Sequence, residues 1–234
     1  NLNAYADRTS VDRTAGIPET PGGTAGTPGR PSGSSDSSGD TGRQLRRWNI
    51  VAAVFHAVQG GAMLALSKGV TLPVSATFAS GQPGQPVDGS RLTTLFSYRL
   101  GPAVAAFSLL SAVFHALVAS PWGYGRYRRE LAAQRNRFRW VEYSLSASLM
   151  IVLVAGITGI SDIAALVALF GVNASMILFG WLMETTSRPG PDAVWTPFVF
   201  GSIAGAVPWI AIFIYLVGAG SNVPTFVYGI FASI

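Results

Sequence analysis

The sequence predicts an all-α membrane protein whose helices cross the bilayer several times, with a small β hairpin in the first extracellular loop. Hydrophobic residues make up 49% of the chain and charged residues only 12%, whereas a soluble domain is about a quarter charged. The mean hydropathy is +0.39, and long apolar runs alternate with short arginine-rich stretches. Because the chain has no cysteine, it forms neither disulfides nor thiolate metal sites.

The N-terminal segment differs in composition from the rest of the chain. Residues 1–44 are rich in Gly, Pro, Ser, Thr and Asp and show no apolar periodicity. Such a segment cannot bury enough apolar surface to offset its conformational entropy, so we predict a disordered tail. Residues 45–234 are then the transmembrane domain.

Apolar runs of membrane length predict five complete helices and the start of a sixth. A helix needs about 20 apolar residues to cross the hydrocarbon layer, and the last run has about half of them. Asp162 precedes the fourth run and is the expected N-cap. Pro208 removes a backbone hydrogen bond within the fifth run and is expected to kink it. The predicted helices cover residues 48–68, 95–119, 138–160, 162–183, 195–217 and 223–234.

Two connections between these helices are long. Residues 69–91 contain TLPVSATF, whose alternation predicts a strand, and QPGQP, which predicts a turn, so a small hairpin is expected there. Residues 120–139 carry six arginines and one glutamate. We interpret these arginines as topology signals and anionic-lipid contacts rather than a nucleic-acid footprint.

The arginines also predict the orientation in the membrane. With the N-terminus in the cytoplasm, ten basic residues that flank the helices lie inside and three lie outside. This distribution follows the positive-inside rule. The tail is therefore predicted to be cytoplasmic and the hairpin extracellular.

Two histidines and one glutamate lie inside the predicted helices, all in the cytoplasmic half: His56, His115 and Glu142. A carboxylate inside a membrane helix costs about 2.5–3.5 kcal/mol, so Glu142 is expected to be functional. Histidine titrates near neutral pH, so the three groups together can hold or pass a proton. Ser111 and Ser146 lie one helical turn from His115 and Glu142 and would complete a polar pocket.

Each of these residues also has a simpler interpretation. Either histidine can be a packing residue with satisfied hydrogen bonds, and Ser144 and Ser148 fit close helix packing. Glu142 can instead pair with Arg139 near the membrane interface. A proton pump needs titratable groups on both sides of its central site, and this sequence has them on one side only. The pattern therefore favours a sensor or switch over a pump.

Two further classes of function are compatible with the residues alone. Two histidines and one carboxylate are a known ligand set for iron or zinc, although no HExxH-type spacing supports a metal site here. The basic stretch 126–139 would also suit a membrane module that regulates a partner without any chromophore.

Four segments resemble one membrane-protein family, the heliorhodopsins, which are microbial-rhodopsin relatives with inverted topology. These segments are FHAVQGGAML at 55–64, FRWVEYSLSASLMIVL at 138–153, SDIAALVALFGVNASMILFGWLME at 161–184 and PFVFGSIAGAVPWIAIFIYL at 197–216. The resemblance covers residues 45–234. It implies a seven-helix bundle around retinal, of which this chain would hold five helices and the start of the sixth.

The resemblance also implies roles for single residues. Glu142 would be the counterion of a protonated retinal Schiff base, with Ser111 beside it. His56 and His115 would form a cytoplasmic polar cavity that accepts the proton. The expected function is light sensing in the cell membrane, with no catalytic or metal site and with lipid and retinal as partners; a homodimer is left open. The residues expected to line the retinal pocket are Asn173, Met176, Ile177 and Pro208.

The family's attachment lysine has no counterpart in this sequence. The family forms its Schiff base on a lysine in the seventh helix, and the sequence ends at Ile234 within the sixth. Its single lysine, Lys68, lies at the extracellular end of the first helix and matches no part of that motif. We therefore expect the natural protein to continue through a further helix that carries the lysine.

Overall fold

The computed structural model describes residues 34–79, 92–187, 194–220 and 227–229. The described residues up to Arg99 form one long helix and a strand pair, and the elements that follow are all helices. In chain order the elements are α1 (Ser34–Leu66), β1 (Thr71–Thr77), β2 (Leu92–Arg99), α2 (Leu100–Ala119), α3 (Pro121–Ala132), α4 (Arg137–Ile157), α5 (Ile163–Thr186) and α6 (Thr196–Gly218).

Five helices of the described part are long and apolar enough to cross a membrane: α1, α2, α4, α5 and α6. Helix α1 packs on α2, α2 on α4, α4 on α5, and α5 on α6. Large apolar side chains cover the outside of the bundle, and Phe55, Val58 and Ile203 are each more than 60% exposed. An apolar outer surface suits lipid, in which a helix satisfies its own backbone hydrogen bonds. The predicted polytopic helical fold is confirmed.

The predicted hairpin is present, and its second strand corrects the start of the second helix. Strands β1 and β2 pair antiparallel, with a bulge between Val74 and Ser75. We predicted helix from residue 95, but the chain stays extended to Arg99 and α2 begins at Leu100. The segment LTTLFSYR is rich in β-branched and aromatic residues, which favour a strand once a partner strand is available. Pro102 then lies in the first turn of α2, where a missing N–H costs little.

The hairpin is attached to the turn that precedes α5. The backbone N–H of Ser75 donates to the carbonyl of Ser161 at 2.8 Å, and the two serine hydroxyls lie 2.8 Å apart. The next residue, Asp162, accepts a hydrogen bond from the backbone of Ala165 at 3.0 Å. The predicted N-cap of this helix is therefore confirmed.

Helix α3 is an element that we did not predict. The Ser120 hydroxyl caps it by accepting from the Gly123 N–H at 3.0 Å, and Pro121 follows the cap. The helix ends where Gln134 adopts a left-handed φ of 56°. The N–H of Arg135 then donates to the Glu130 carbonyl at 2.9 Å, which is the long bond of a Schellman motif.

Helix α1 begins at Ser34, within the segment that we predicted to be disordered. Two contacts to other elements accompany this early start. The Tyr124 hydroxyl of α3 donates to the Gly42 carbonyl, and Arg46 Nε donates to the carbonyl of Ala119, at the end of α2, at 2.8 Å. Residues 34–44 are therefore helical, and the rest of the predicted tail lies outside the described residues.

The remaining differences are small. The predicted helices at 138–160, 162–183 and 195–217 correspond to α4, α5 and α6 within three residues at each end. Of the predicted sixth helix, 223–234, the structure describes 227–229, which are helical. The QPGQP turn lies outside the described residues.

Candidate functional site

The five polar residues that the sequence analysis grouped together line one cavity of about 350 Å³. Helix α1 contributes one of them, and α2 and α4 contribute two each. Asn49, Asn136 and Arg139 also face this cavity, which we call the polar cavity. The residues grouped from the sequence are His56, Ser111, His115, Glu142 and Ser146.

Glu142 lies in the second turn of α4 and is 9% exposed. Among the residues that the structure describes, its carboxylate forms no hydrogen bond or ion pair. Ser146, one turn further along the same helix, is 4% exposed and also lines the cavity. A buried carboxylate without a partner is costly, so this position suits an acceptor for a cationic or protonated group.

The alternative pairing of Glu142 with Arg139 does not occur. The Arg139 guanidinium lies 3.8 Å from Glu184, at the end of α5, and 4.6 Å from the centre of the Trp140 ring. Glu184 also accepts from Trp140 Nε1 at 2.6 Å and from the Asn136 N–H at 3.1 Å. Arg139 therefore pairs with Glu184 at the edge of the cavity, and Glu142 forms no ion pair within the described part.

The two histidines stack on each other across the α1–α2 interface. Their ring centroids are 5.6 Å apart and their planes differ by 7°. His115 Nδ1 lies 3.0 Å from Asn49 Oδ1, and the amide nitrogen of Asn49 donates to the Leu45 carbonyl at 2.9 Å. Since the amide oxygen faces the ring, Nδ1 of His115 carries the proton.

His56 has no such partner. Its Nδ1 is buried and has no hydrogen-bond partner in the described part of the chain. A neutral imidazole with one unused ring nitrogen can accept a proton. The pair therefore combines His115, whose ring is oriented by Asn49, with His56, whose Nδ1 forms no hydrogen bond in the described part.

Asn49 was not predicted to belong to this site, because only charged, titratable and hydroxyl residues were expected to line it. A usable signal was present. Asn49 lies seven residues before His56 on an otherwise apolar helix, and residues seven apart share one helix face.

The residues expected to line a retinal pocket lie elsewhere, where α4, α5 and α6 meet. Asn173 is 4% exposed and donates from Nδ2 to Ser148 Oγ at 3.1 Å. Met176 packs against Gly205 of α6, where an added Cβ would collide with its sulfur. Pro208 is fully buried and Ile177 is partly exposed. None of these four predicted residues lines the polar cavity.

The described residues contain no group of three His, Cys, Asp or Glu that could hold a metal ion. The two histidines and Glu142 share a cavity without forming such a group. The metal-site alternative therefore gains no support from this part of the chain.

Comparison with models of known protein families gives a match over most of the chain. The family model described as Heliorhodopsin matches residues 45–234. No curated protein matches the chain. The matched range is the transmembrane domain expected from the sequence, and it contains the whole polar cavity.

Proposed function

The chain belongs to the heliorhodopsin family, and from this premise we propose that it is a retinal-binding light sensor in which Glu142 is the counterion. The family is one of rhodopsin-type membrane proteins, and retinal is its general chromophore. The observation that carries the proposal is a carboxylate buried in a membrane helix with no partner among the described residues. Such a group needs a cation to offset its burial.

The residues present suit a group with a positive charge near Glu142 and an apolar remainder. The buried Glu142 supplies the negative charge, and Ser111 and Ser146 supply hydroxyls beside it. The interface of α4, α5 and α6 adds the buried Asn173 and the contact of Met176 with Gly205. Lys68 is exposed beyond the end of α1, so we assign no attachment role to it.

Bound retinal would supply a light-driven change of shape next to a positively charged nitrogen. The chain's own residues then have three tasks. Glu142 stabilises the positive charge and so keeps the proton on that nitrogen in the dark. The polar cavity would accept that proton when the arrangement is disturbed, at Nδ1 of His56, which has no hydrogen-bond partner in the described part. The bond between Asn49 and His115 keeps the neighbouring ring in one orientation.

The placement of charges supports sensing rather than pumping. In the five candidate membrane spans of the described part, Glu142 is the one carboxylate away from a helix end, since Glu184 lies in the last turn of α5 and Asp162 precedes its start. A pump would need a second titratable site on the opposite side of the chromophore. A proton held in the polar cavity and later returned would produce no net transport.

The proposed location is the plasma membrane with the N-terminus in the cytoplasm. Arg43, Arg46 and Arg47 lie in the part of α1 that contacts Tyr124 of α3, and α3 carries further arginines. Basic residues gathered at one end of a helical bundle favour the cytoplasmic side.

The test is Glu142→Gln in the full-length protein supplied with retinal. Removing a neighbouring negative charge should shift the visible absorption maximum and lower the pH at which the band is lost by about 1–3 units. Glu130→Gln is the matched control, because that carboxylate faces Arg137 outside the polar cavity. An unchanged spectrum and titration in Glu142→Gln would refute the counterion role.

A further inference from the structure

A second polar cavity lies beside α3, outside the site described above. Its volume is about 430 Å³, within the range of small-molecule sites. We call it the arginine cavity. It is lined by Arg126, Arg129, Glu130, Ala133, Arg135 and Arg137.

The cavity is a product of the unpredicted helix and its ending. Arg126 and Arg129 lie one turn apart on α3, and so share a face. The left-handed turn at Gln134 reverses the chain and brings Arg135 back beside the end of the helix. Arg137, the first residue of α4, closes the remaining side. Four exposed arginines that are spread over 12 positions therefore line one space.

The charges of this cavity are not balanced by the chain. Glu130 is its one carboxylate, and Arg137 Nε lies 3.2 Å from it. The other three guanidiniums form no ion pair with described residues. Like charges one turn apart on a helix destabilise it, so an anion shared among the arginines would relieve this repulsion.

The surroundings of the cavity indicate where such an anion would come from. Helix α3 joins α2 to α4, which are both membrane spans, so it lies at the membrane surface. Trp122, at its start, is 76% exposed, and tryptophan is enriched at the level of the lipid headgroups. Arginine binds phosphate oxygens in pairs through its planar fork of donors.

We propose that the arginine cavity binds a phosphate group, supplied by the headgroup of an anionic phospholipid in the adjacent leaflet. Basic pockets beside transmembrane helices commonly bind such headgroups. A scattered set of topology arginines would face bulk solvent separately, whereas these four face one cavity. The proposal is independent of retinal and of Glu142.

The experiment uses the full-length protein extracted from vesicles of phosphatidylcholine with or without phosphatidic acid. Native mass spectrometry counts the lipids that remain bound. Wild type should retain phosphatidic acid and not phosphatidylcholine. Each arginine near a membrane surface contributes about fivefold to the affinity for anionic lipid, so Arg126→Gln with Arg129→Gln should reduce it roughly 25-fold.

Arg128→Gln is the control for the loss of one charge from the same helix, and it is compared with the single variants Arg126→Gln and Arg135→Gln. Its guanidinium lies 6.0 Å from the Tyr124 ring centre and does not line the cavity. Arg135→Gln, outside any helix, tests the site without altering α3. A second arm adds inorganic phosphate during extraction. If phosphate at millimolar concentration displaces the lipid, free phosphate is the ligand of the cavity and the proposed headgroup source is overturned. If the lipid stays bound, the phosphate group that the cavity binds is that of the headgroup.

Equal retention of phosphatidic acid by the double variant and by Arg135→Gln would overturn the proposal. A loss in Arg128→Gln as large as that in Arg135→Gln would also overturn it, since total charge alone would then explain the binding.

Discussion

Nδ1 of His115 on α2 lies 3.0 Å from Oδ1 of Asn49 on α1. This bond joins the two helices in the wall of the polar cavity and determines which nitrogen of His115 carries the proton. The His56 ring stacks on the same imidazole. Any change at Asn49 therefore acts on the cavity through the orientation of one ring.

The first prediction concerns the strength of this bond. Asn49→Leu should lower the free energy of unfolding by about 0.6–1.7 kcal/mol, the range measured for hydrogen bonds between membrane helices. A double-mutant cycle with His115→Phe should give a coupling energy of the same size, measured by unfolding in mixed micelles. If the two single effects add without coupling, the bond does not contribute to stability.

The second prediction concerns Glu184, which joins the end of α5 to the start of α4. Glu184→Leu should destabilise the protein by about 1–3 kcal/mol, because Trp140 Nε1 and the Asn136 N–H both lose their acceptor. Arg139→Gln should cost less than about 1 kcal/mol, since that side chain is 45% exposed and its ion pair is long at 3.8 Å. Thermal unfolding followed by tryptophan fluorescence measures both.

Glu184→Leu should therefore cost more stability than Arg139→Gln, and this order tests which interaction joins α4 to α5. A loss in Arg139→Gln as large as that in Glu184→Leu would mean that the ion pair, rather than the hydrogen bonds to Glu184, holds the two helices together.

The third prediction uses two glycines of α3 that differ in their surroundings. A Cβ at Gly123 would overlap the Leu117 carbonyl, a backbone atom that cannot move aside, whereas one at Gly125 meets nothing within 4 Å. Gly123→Ala should therefore displace α3 and lower the melting temperature. Gly125→Ala should raise stability by about 0.5–1 kcal/mol, because alanine is the better helix former. Equal melting temperatures for the two variants would contradict the packing of α3 on α2.

The spans could be predicted from sequence because the length of an apolar run depends on nearby residues alone. Strand β2 could not, since LTTLFSYR continues directly into an apolar helix and only pairing with β1 distinguishes the two. Helix α3 had a local signal in Ser120 and Pro121, a cap followed by proline. The many arginines obscured it, because they suggested a loop by composition.

The polar cavity was largely predictable for a different reason. Charged and titratable residues are rare in membrane helices, so counting helical rise placed His56, His115 and Glu142 near one level. Asn49 could not be predicted in this way, because it carries no charge. The same reasoning also did not predict that Arg139 would pair with Glu184, because the ends of α4 and α5 meet only in the folded bundle.

The last prediction concerns Tyr98 of β2, outside the membrane spans. Burial raises the pKa of its hydroxyl above the ordinary 10.0, because the ionised form is poorly solvated there. The hydroxyl has no partner in the described part, and a Cβ at Gly156 of α4 would lie 2.5 Å from it. Above pH 10 the unfolded state loses this proton more readily than the folded state, so stability falls as the pH rises.

Tyr98→Phe should remove this alkaline loss at little cost at neutral pH, as melting temperatures between pH 8 and pH 11 (roughly spanning the ordinary tyrosine pKa) would reveal. A variant that loses stability as steeply as wild type over that interval would mean that the Tyr98 hydroxyl ionises as easily in the folded protein as in the unfolded chain.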